Sequence, residues 1–379
     1  MDKMEHRGDG SAYRESDLVR IAKRENNLKR KYLVINRKQG KHIPVSPGEA
    51  LAMFRALAEQ LKEAYQGERI LVIGFAETAT AIGVCLALCL HCRLIQTTRE
   101  EIPGVTYLHF SERHSHATQQ KLVKEDLDTV MGQIDRVIFA EDEVTTGNTI
   151  LSAIESIERV YGERPAFSVA SLLNGMDREA EREYKKRGIR LHYLVKTEHG
   201  GYEAMAERYR GDGLFEKGGV WDESLPVRML YPSGYLDARR LQAADEYGRA
   251  CKELCRQVLS GLNPEPFRRY LVLGTEEFMF PGLLLAREIE RQGCRVRFHA
   301  TTRSPIVVSR EPEYPLHVRY ELCSMYEKGR PTFVYDLKPC EEAVVVCDAP
   351  EMTQEGKQDL LYALSISGSR QVTLVRWQR

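Results

Sequence analysis

No stretch of this sequence approaches eighteen uncharged apolar residues; the longest apolar run, IGVCLALCLHC at 82–92, has the length of a core helix. A membrane-spanning helix is therefore not expected. The first twenty residues, MDKMEHRGDGSAYRESDLVR, are charged and lack an apolar stretch of signal-peptide type, so no secretory signal is expected. An excess of charge of either sign is missing too, with Lys+Arg and Asp+Glu both at 55. That balance argues against a polyanion binder driven by bulk charge and leaves room for a local basic patch. The nine cysteines are scattered and odd in number, which fits a reducing, cytoplasmic setting without a disulfide framework. What is present is an apolar content of 42%, enough for the cores of two or three domains.

Residues 1–30 read as a polar, loosely ordered extension. A strand and a basic turn follow in KYLVINRKQGKHIPVSP (31–47). Ser46-Pro47-Gly48-Glu49 has the pattern of a helix start, with Ser at the cap, Pro in the first turn and Glu three residues on. Leu51, Phe54, Leu57 and Leu61 continue at helical spacing. Short buried strands are expected at 70–73, in RLIQTTRE, at 136–140, at 165–174 and at 189–195, with helices between them. Such alternation predicts an α/β fold with a parallel sheet covered on both faces. Ligands of such sheets bind beyond the carboxyl ends of the strands. The expected division is 31–205 as one domain, 206–235 as a Gly- and charge-rich linker, and 236–379 as a second α/β domain. The second half repeats the first at an offset near 200: LVIGFAETATAIG at 71 against LVLGTEEFMFPGL at 271, QTTRE at 96 against ATTRSP at 300, VIFAEDEVTTG at 137 against VVVCDAPEMTQEG at 344.

The most informative segment is VIFAEDEVTTGNTILSAI (137–154). Glu141 and Asp142 at a strand end can accept hydrogen bonds from the vicinal hydroxyls of a ribose. Thr145, Thr146, Gly147, Asn148 and Thr149 then run into a helix start. Hydroxyls, backbone N–H groups around a glycine and the helix dipole make a phosphate cradle. A ribose 5′-phosphate fits that combination.

VIFAEDEVTTGNT resembles the phosphoribosyl-pyrophosphate (PRPP) motif of type I phosphoribosyltransferases, with an apolar run, two acids, two variable residues and Thr-Thr-Gly-x-Thr. Glu143 departs from the family, which usually has an apolar residue there. With GFAETATAIG, FSERHSHAT, GTEEFM and TTRSPI, the chain is similar to a bacterial group of predicted phosphoribosyltransferases. That group carries a C-terminal domain named for its Thr-Arg-Ser-Pro (TRSP) signature and is associated with tellurium-resistance and stress gene clusters. The resemblance implies a parallel-sheet phosphoribosyltransferase domain followed by a TRSP-type α/β domain. It also implies PRPP and a base-like acceptor as substrates, with pyrophosphate released. Mg²⁺ would be held through PRPP, with Glu141 and Asp142 contributing indirectly. Dimers are common among related enzymes, so a homodimer is an expectation; neither a membrane nor a nucleic acid is expected as a partner.

In related folds the loop after the first core strand binds pyrophosphate, which falls here on Gly74, Ala76, Glu77, Thr78 and Ala79, with Glu77 an unusual residue for an anion site. SERHSHAT (111–118) occupies the place of a mobile hood loop, where Arg113 can neutralise pyrophosphate and His114 or His116 can act as general acid or base. Two histidines and a glutamate there can instead bind a metal. Arg37, Lys38, Lys41 and His42 form either a phosphate-attracting turn or an exposed basic one. Thr301, Thr302, Arg303 and Ser304 can hold a phosphate or carboxylate. The counterpart of the PRPP motif near 348 lacks Thr-Thr-Gly, so this half is not expected to bind PRPP in the same way. Ser171–Asp177 is expected to influence acceptor choice. Cys85, Cys89 and Cys92 have the spacing of iron–sulfur ligands but fall in an apolar helix, where cysteine is a common core residue. Two other readings stay open: a nucleotide-sensing module without catalysis, and a phosphoribosyl-cleaving hydrolase or phosphorylase.

Overall fold

The computed structural model describes residues 13–25, 30–110, 120–163, 165–221 and 224–378. The chain divides into two compact units. One contains Ala52–Glu198 and Asp237–Gly248, the other Ser16–Leu51, His199–Leu236 and Arg249–Arg379. No helix among the described residues is long and apolar enough to cross a membrane.

The first unit is organised by five parallel strands: β1 (Ile70–Gly74), β2 (Arg93–Gln96), β3 (Arg136–Val144), β4 (Ala166–Asn174) and β5 (Arg190–Lys196). Their order across the sheet is β2-β1-β3-β4-β5, and Gln242–Ala243 adds an antiparallel edge beside β2. Every residue of ILVIG in β1 is buried, as a strand covered on both faces requires. Strand β3 is longer than the expected 136–140. It continues to Val144 because pairing with β4 continues from Glu141↔Ser171 to Val144↔Asn174. The acid pair thus lies within the last turns of pleat and not beyond them.

The second unit contains a five-stranded parallel sheet made of β6 (Val227–Leu230), β7 (Arg269–Gly274), β8 (Arg295–Ala300), β9 (Glu342–Cys347) and β10 (Val372–Arg376). Its order is β6-β10-β9-β7-β8. Read from β8, this matches the first sheet strand for strand, with β7 in the place of β1 and β9 in the place of β3. The fifth position differs in origin, because β6 enters from residues that precede β7 in the chain. A second, three-stranded sheet joins Leu214–Lys217 to Val318–Cys323 and Pro331–Tyr335.

Loose order was expected over residues 1–30, and Val19–Lys23 departs from it. This strand pairs antiparallel with Tyr32–Asn36 and buries Val19, Ile21 and Ala22. Ala22, Leu33 and Ile35 join Ile306, Tyr314, Leu316 and Tyr335 in one apolar cluster of the second unit. The turn that follows is exposed at Arg37 and partly so at Lys38, but not at Lys41 and His42. Lys41 is fully buried, and its ammonium donates to the carbonyls of Glu276 and Thr301, both at 2.9 Å. A helix does begin at Pro47 and runs to Ala64, as its capping pattern predicts.

Strand–helix contact in both units depends on paired glycines. A Cβ on Gly83, in helix α1 (Thr80–Leu90), would lie 2.8 Å from the Gly74 Cα at the end of β1. The counterpart, Gly282 in helix α3 (Phe280–Arg291), would place a Cβ 3.3 Å from the Gly274 Cα. Helix α2 (Asn148–Tyr161) follows β3, and helix α4 (Gln354–Ile366) follows β9. Because backbone cannot yield as a flexible side chain does, Gly83→Ala should destabilise by about 1–3 kcal/mol. Gly282→Ala should cost less, and paired thermal denaturation curves check the order of the two.

Candidate active site

The expected site residues of the first unit stand at the carboxyl ends of β1 and β3, the neighbours between which the strand order reverses. Gly74 ends β1, and the chain turns through Phe75–Ala79 into α1. The Phe75 N–H donates to the Ala140 carbonyl at 3.1 Å, which fixes the turn beside β3. The Thr97 N–H donates to the Gly74 carbonyl at 2.9 Å, and the Thr97 hydroxyl accepts from the Ala76 N–H at 2.8 Å. That hydroxyl donates to the Gln120 side-chain oxygen at 2.7 Å, and the Gln120 amide nitrogen donates back to the Ala76 carbonyl. The Ala76–Glu77 peptide is cis. Gly74, Ala76, Glu77 and Ala79 are buried, whereas Thr78 is only partly so. Glu77, the acid that is unusual for an anion loop, is therefore turned into the protein.

Thr78 connects this turn to the acid pair. Its hydroxyl donates to Asp142 Oδ1 at 2.8 Å. Glu141 and Asp142 are both half-buried, and Glu141 Oε2 accepts from the Asp142 N–H at 3.2 Å. Burial pushes the Glu141 carboxyl well above the usual carboxylate range, and the adjacent Asp142 charge adds to it; Arg99 opposes the rise. Asp142 is raised by burial as well, with the Thr78 hydrogen bond acting against the shift. A strong perturbation of two adjacent carboxylates in a crevice is a mark of a functional site.

Beyond Val144 the chain passes through Thr145 and Thr146 to Gly147, whose φ is +72°. Gly147 is the cap of α2, and no side chain caps that helix. Thr146 and Asn148 are exposed, and Thr145 and Thr149 are partly so. The Asn148 N–H reaches the Thr146 hydroxyl at 3.4 Å. Only glycine suits position 147. The backbone is left-handed, and a Cβ would press on the Tyr184 hydroxyl and come within 2.6 Å of Met176 Cε. The Tyr184 hydroxyl donates to the Gly147 carbonyl at 2.7 Å, holding the turn from inside.

The remaining expected residues fall differently. Arg113, His114 and His116 lie outside the described residues. In Ser171–Asp177, Ser171, Leu172, Leu173, Asn174 and Met176 are buried. Asp177 caps the helix Arg178–Lys186 by accepting from the Glu179 and Ala180 N–H groups. Cys85 and Cys89 lie on α1, and burial raises the thiols of Cys85, Cys89 and Cys92, the last to about 12. Three residues had no motif to announce them: Thr97, Gln120 and Arg99. The only trace was the QTTRE repeat, which aligns Thr97 with Thr301 and Arg99 with Arg303.

In the second unit Thr301 is buried and its hydroxyl accepts from the Glu276 N–H at 3.0 Å, as Thr97 does for Ala76. Thr302 is buried and exchanges backbone hydrogen bonds with Phe333 at 2.8 and 2.7 Å. The Ser304 carbonyl accepts from the Tyr335 hydroxyl at 2.7 Å. Arg303 donates to Glu276 Oε2 at 2.8 Å and stands 3.6 Å from Glu277 Oε1. Glu276 also accepts from Arg330 at 2.8 Å and from the Ser324 hydroxyl at 2.5 Å.

Residues 18–199 match the family model described as phosphoribosyl transferase, and residues 237–364 match the one described as the TRSP domain C-terminal to it. The chain carries a phosphoribosyl transferase domain joined to a TRSP domain. This places it among the phosphoribosyltransferases, enzymes of the pentosyltransferase class. None of the curated proteins matches the chain. Solved structures that resemble this phosphoribosyltransferase include adenine phosphoribosyltransferase from Rhodothermus marinus. It is 18% identical, with 48% of this chain and 96% of that one covered and a TM-score of 0.34. The enzyme from Giardia lamblia in complex with 9-deazaadenine is 17% identical, with 48% and 95% covered and a TM-score of 0.34. That from Trypanosoma brucei with AMP, pyrophosphate and ribose-5-phosphate is 17% identical, with 38% and 64% covered and a TM-score of 0.29.

The raised carboxyl of Glu141 has a stability consequence. Its folded form holds the proton more tightly than the unfolded chain does. Stability is therefore greatest below the ordinary carboxylate pKa and falls as pH rises from there through the raised value. Glu141→Gln removes that fall. At neutral pH the variant should gain on the order of 1 kcal/mol, with the advantage over the natural chain shrinking toward acid pH. Denaturant unfolding at a series of pH values checks it.

Proposed function

We propose that the phosphoribosyltransferase unit transfers a phosphoribosyl group from PRPP to a base-like acceptor, with release of pyrophosphate. The observation that carries this reading is the 2.8 Å hydrogen bond from Thr78 to Asp142, which sets the turn after β1 and the acid pair of β3 side by side. In this reading Glu141 and Asp142 accept hydrogen bonds from the ribose hydroxyls. Thr145, Thr146, Gly147, Asn148 and Thr149 take the 5′-phosphate against the uncapped start of α2. The Gly74–Ala79 turn offers the pyrophosphate its backbone at Thr78. Arg99, close enough to lower the Glu141 carboxyl, brings positive charge to the same cleft.

The donor set favours a hard cation carried by the substrate. Two carboxylates that repel each other suit Mg²⁺ through oxygen ligands. No group of three or more His, Cys, Asp or Glu able to hold a metal occurs among the described residues, which favours a shared, indirect role for Glu141 and Asp142. Such a cation supplies charge neutralisation on pyrophosphate. The chain's own contribution is positional. The acid pair orients the ribose, and its negative charge favours the cationic character that develops at C1 when the C1–O bond breaks. The 5′-phosphate grip holds the reacting carbon in place with binding energy taken from a remote group. The acceptor then completes the bond to C1, and Arg113, His114 and His116 remain candidates for managing its proton and the departing charge. A homodimer and a role in tellurium resistance or stress belong to the same reading and rest on the sequence resemblance, whereas a cytoplasmic location rests on the charged first residues and the scattered cysteines.

Asp142→Asn should keep the fold, because the amide oxygen still accepts from Thr78, yet lower turnover by at least about 100-fold through loss of the charge and of a ribose acceptor. Pyrophosphate release from PRPP over a panel of bases, with circular dichroism on both proteins, measures this. An unchanged rate removes the site assignment. Tight PRPP binding with no acceptor-dependent release points to the sensing module.

A further inference from the structure

We propose that the TRSP-containing unit holds an anion site of its own, a groove that takes a small phosphorylated metabolite through Arg295, Arg297 and Lys338. The groove has a volume of about 490 Å³ and opens at the amino ends of β7 and β8, the opposite end of that sheet from Thr275 and Thr301. Arg269 and Arg295 begin those strands and are register partners, as are Leu271 and Arg297. Side chains paired in this way share a face, so the strands place Arg269, Arg295 and Arg297 together. Like charges set across neighbouring strands repel.

Only one of the three is answered. Arg269 forms a two-pronged pair with Glu341, at 2.7 and 3.0 Å. The side chains of Arg295 and Arg297 make no hydrogen bond or ion pair with any described residue. Lys338, on the segment leading into β9, adds a further positive charge, which Asp336 also feels. The groove's own acid, Glu290, is engaged by Arg287 at 2.5 Å and by the Ser46 hydroxyl at 3.1 Å. A surplus of cations thus faces one cavity.

Charges on a border strand often serve to block edge-to-edge pairing. Here that duty is met otherwise, because Val45 covers the outer edge of β8 at Phe298 with backbone hydrogen bonds of 2.9 and 2.8 Å. What guanidinium groups offer at this place is a planar pair of N–H donors that matches phosphate oxygens. The volume falls within the range of about 300–1,000 Å³ that holds small ligands. The even balance of acids and bases over the whole chain fits a single small anion better than an extended polyanion.

The test is hydrogen exchange on the full chain in inorganic phosphate, pyrophosphate, adenosine monophosphate or a short RNA, each against chloride of equal ionic strength. Phosphate-bearing small molecules should slow exchange around 295–297 and 338–340. Asp142→Asn should keep that protection, which separates it from the ribose-phosphate cleft. The double variant R295Q/R297Q should need at least tenfold more anion for the same protection while its circular dichroism is unchanged. The proposal is overturned if chloride protects equally, if the double variant responds like the natural chain, or if only RNA protects.

Discussion

The absence of side chains at Gly74 and Gly83 lets helix α1 lie against the end of β1 with backbone alone between them. The turn that joins strand to helix is therefore short, and its amides are held at the crevice where the strand order reverses. Thr97 fixes that turn from the next strand by accepting from Ala76, and Gln120 closes the loop by bonding both. With the turn pinned, Thr78 is the residue left to reach Asp142. A bulkier contact at the glycines would move the turn and break the alignment of the two halves of the cleft.

The acid pair is held against its electrostatic preference. The neighbouring carboxylates lose water on burial, and the Asp142 charge acts on Glu141, so both carboxyls hold their protons more tightly than they would in water. At Gly147 the cap residue of α2 has no side chain to give, and the Thr146 hydroxyl stands 3.4 Å from the Asn148 N–H.

The second unit shows what the same framework becomes when those features are filled. Thr301 supports the turn after β7 as Thr97 supports the turn after β1, and Lys41 stands in for Gln120 by donating to the Glu276 carbonyl. Asp348 follows β9 as Asp142 follows Glu141, but hydroxyls of Tyr326 and Tyr235 meet it at 2.8 and 3.0 Å. Thr353 caps α4 by accepting from the Gly356 N–H at 3.1 Å, where the cap residue of α2 is a glycine. Arg303 of the Thr-Arg-Ser-Pro signature is paired with Glu276. One scaffold thus gives an exposed turn at Thr146 and Asn148 in one unit and a self-satisfied polar cluster in the other.

Buried runs such as ILVIG and VIFA and the sequence VTTGNT made the parallel sheet, its repeat and the Glu141–Thr149 segment legible, because strand burial and glycine-dependent turns are written in local composition. The start of the helix at Pro47 was legible for the same reason. Other features depend on residues far apart in the chain. Thr97 and Gln120 act on Ala76 across 21 and 44 positions, Lys41 across 235 positions on Glu276, and β6 enters the second sheet out of chain order. The polar-looking Val19–Lys23 becomes a strand only because Tyr32–Asn36 and an apolar cluster receive it. Sequence alone determined which chemistry the chain carries and on which strand ends. Tertiary structure decided which hydroxyls, amides and cations meet it, because hydrogen bonds and burial act through space and no local pattern records a distant partner.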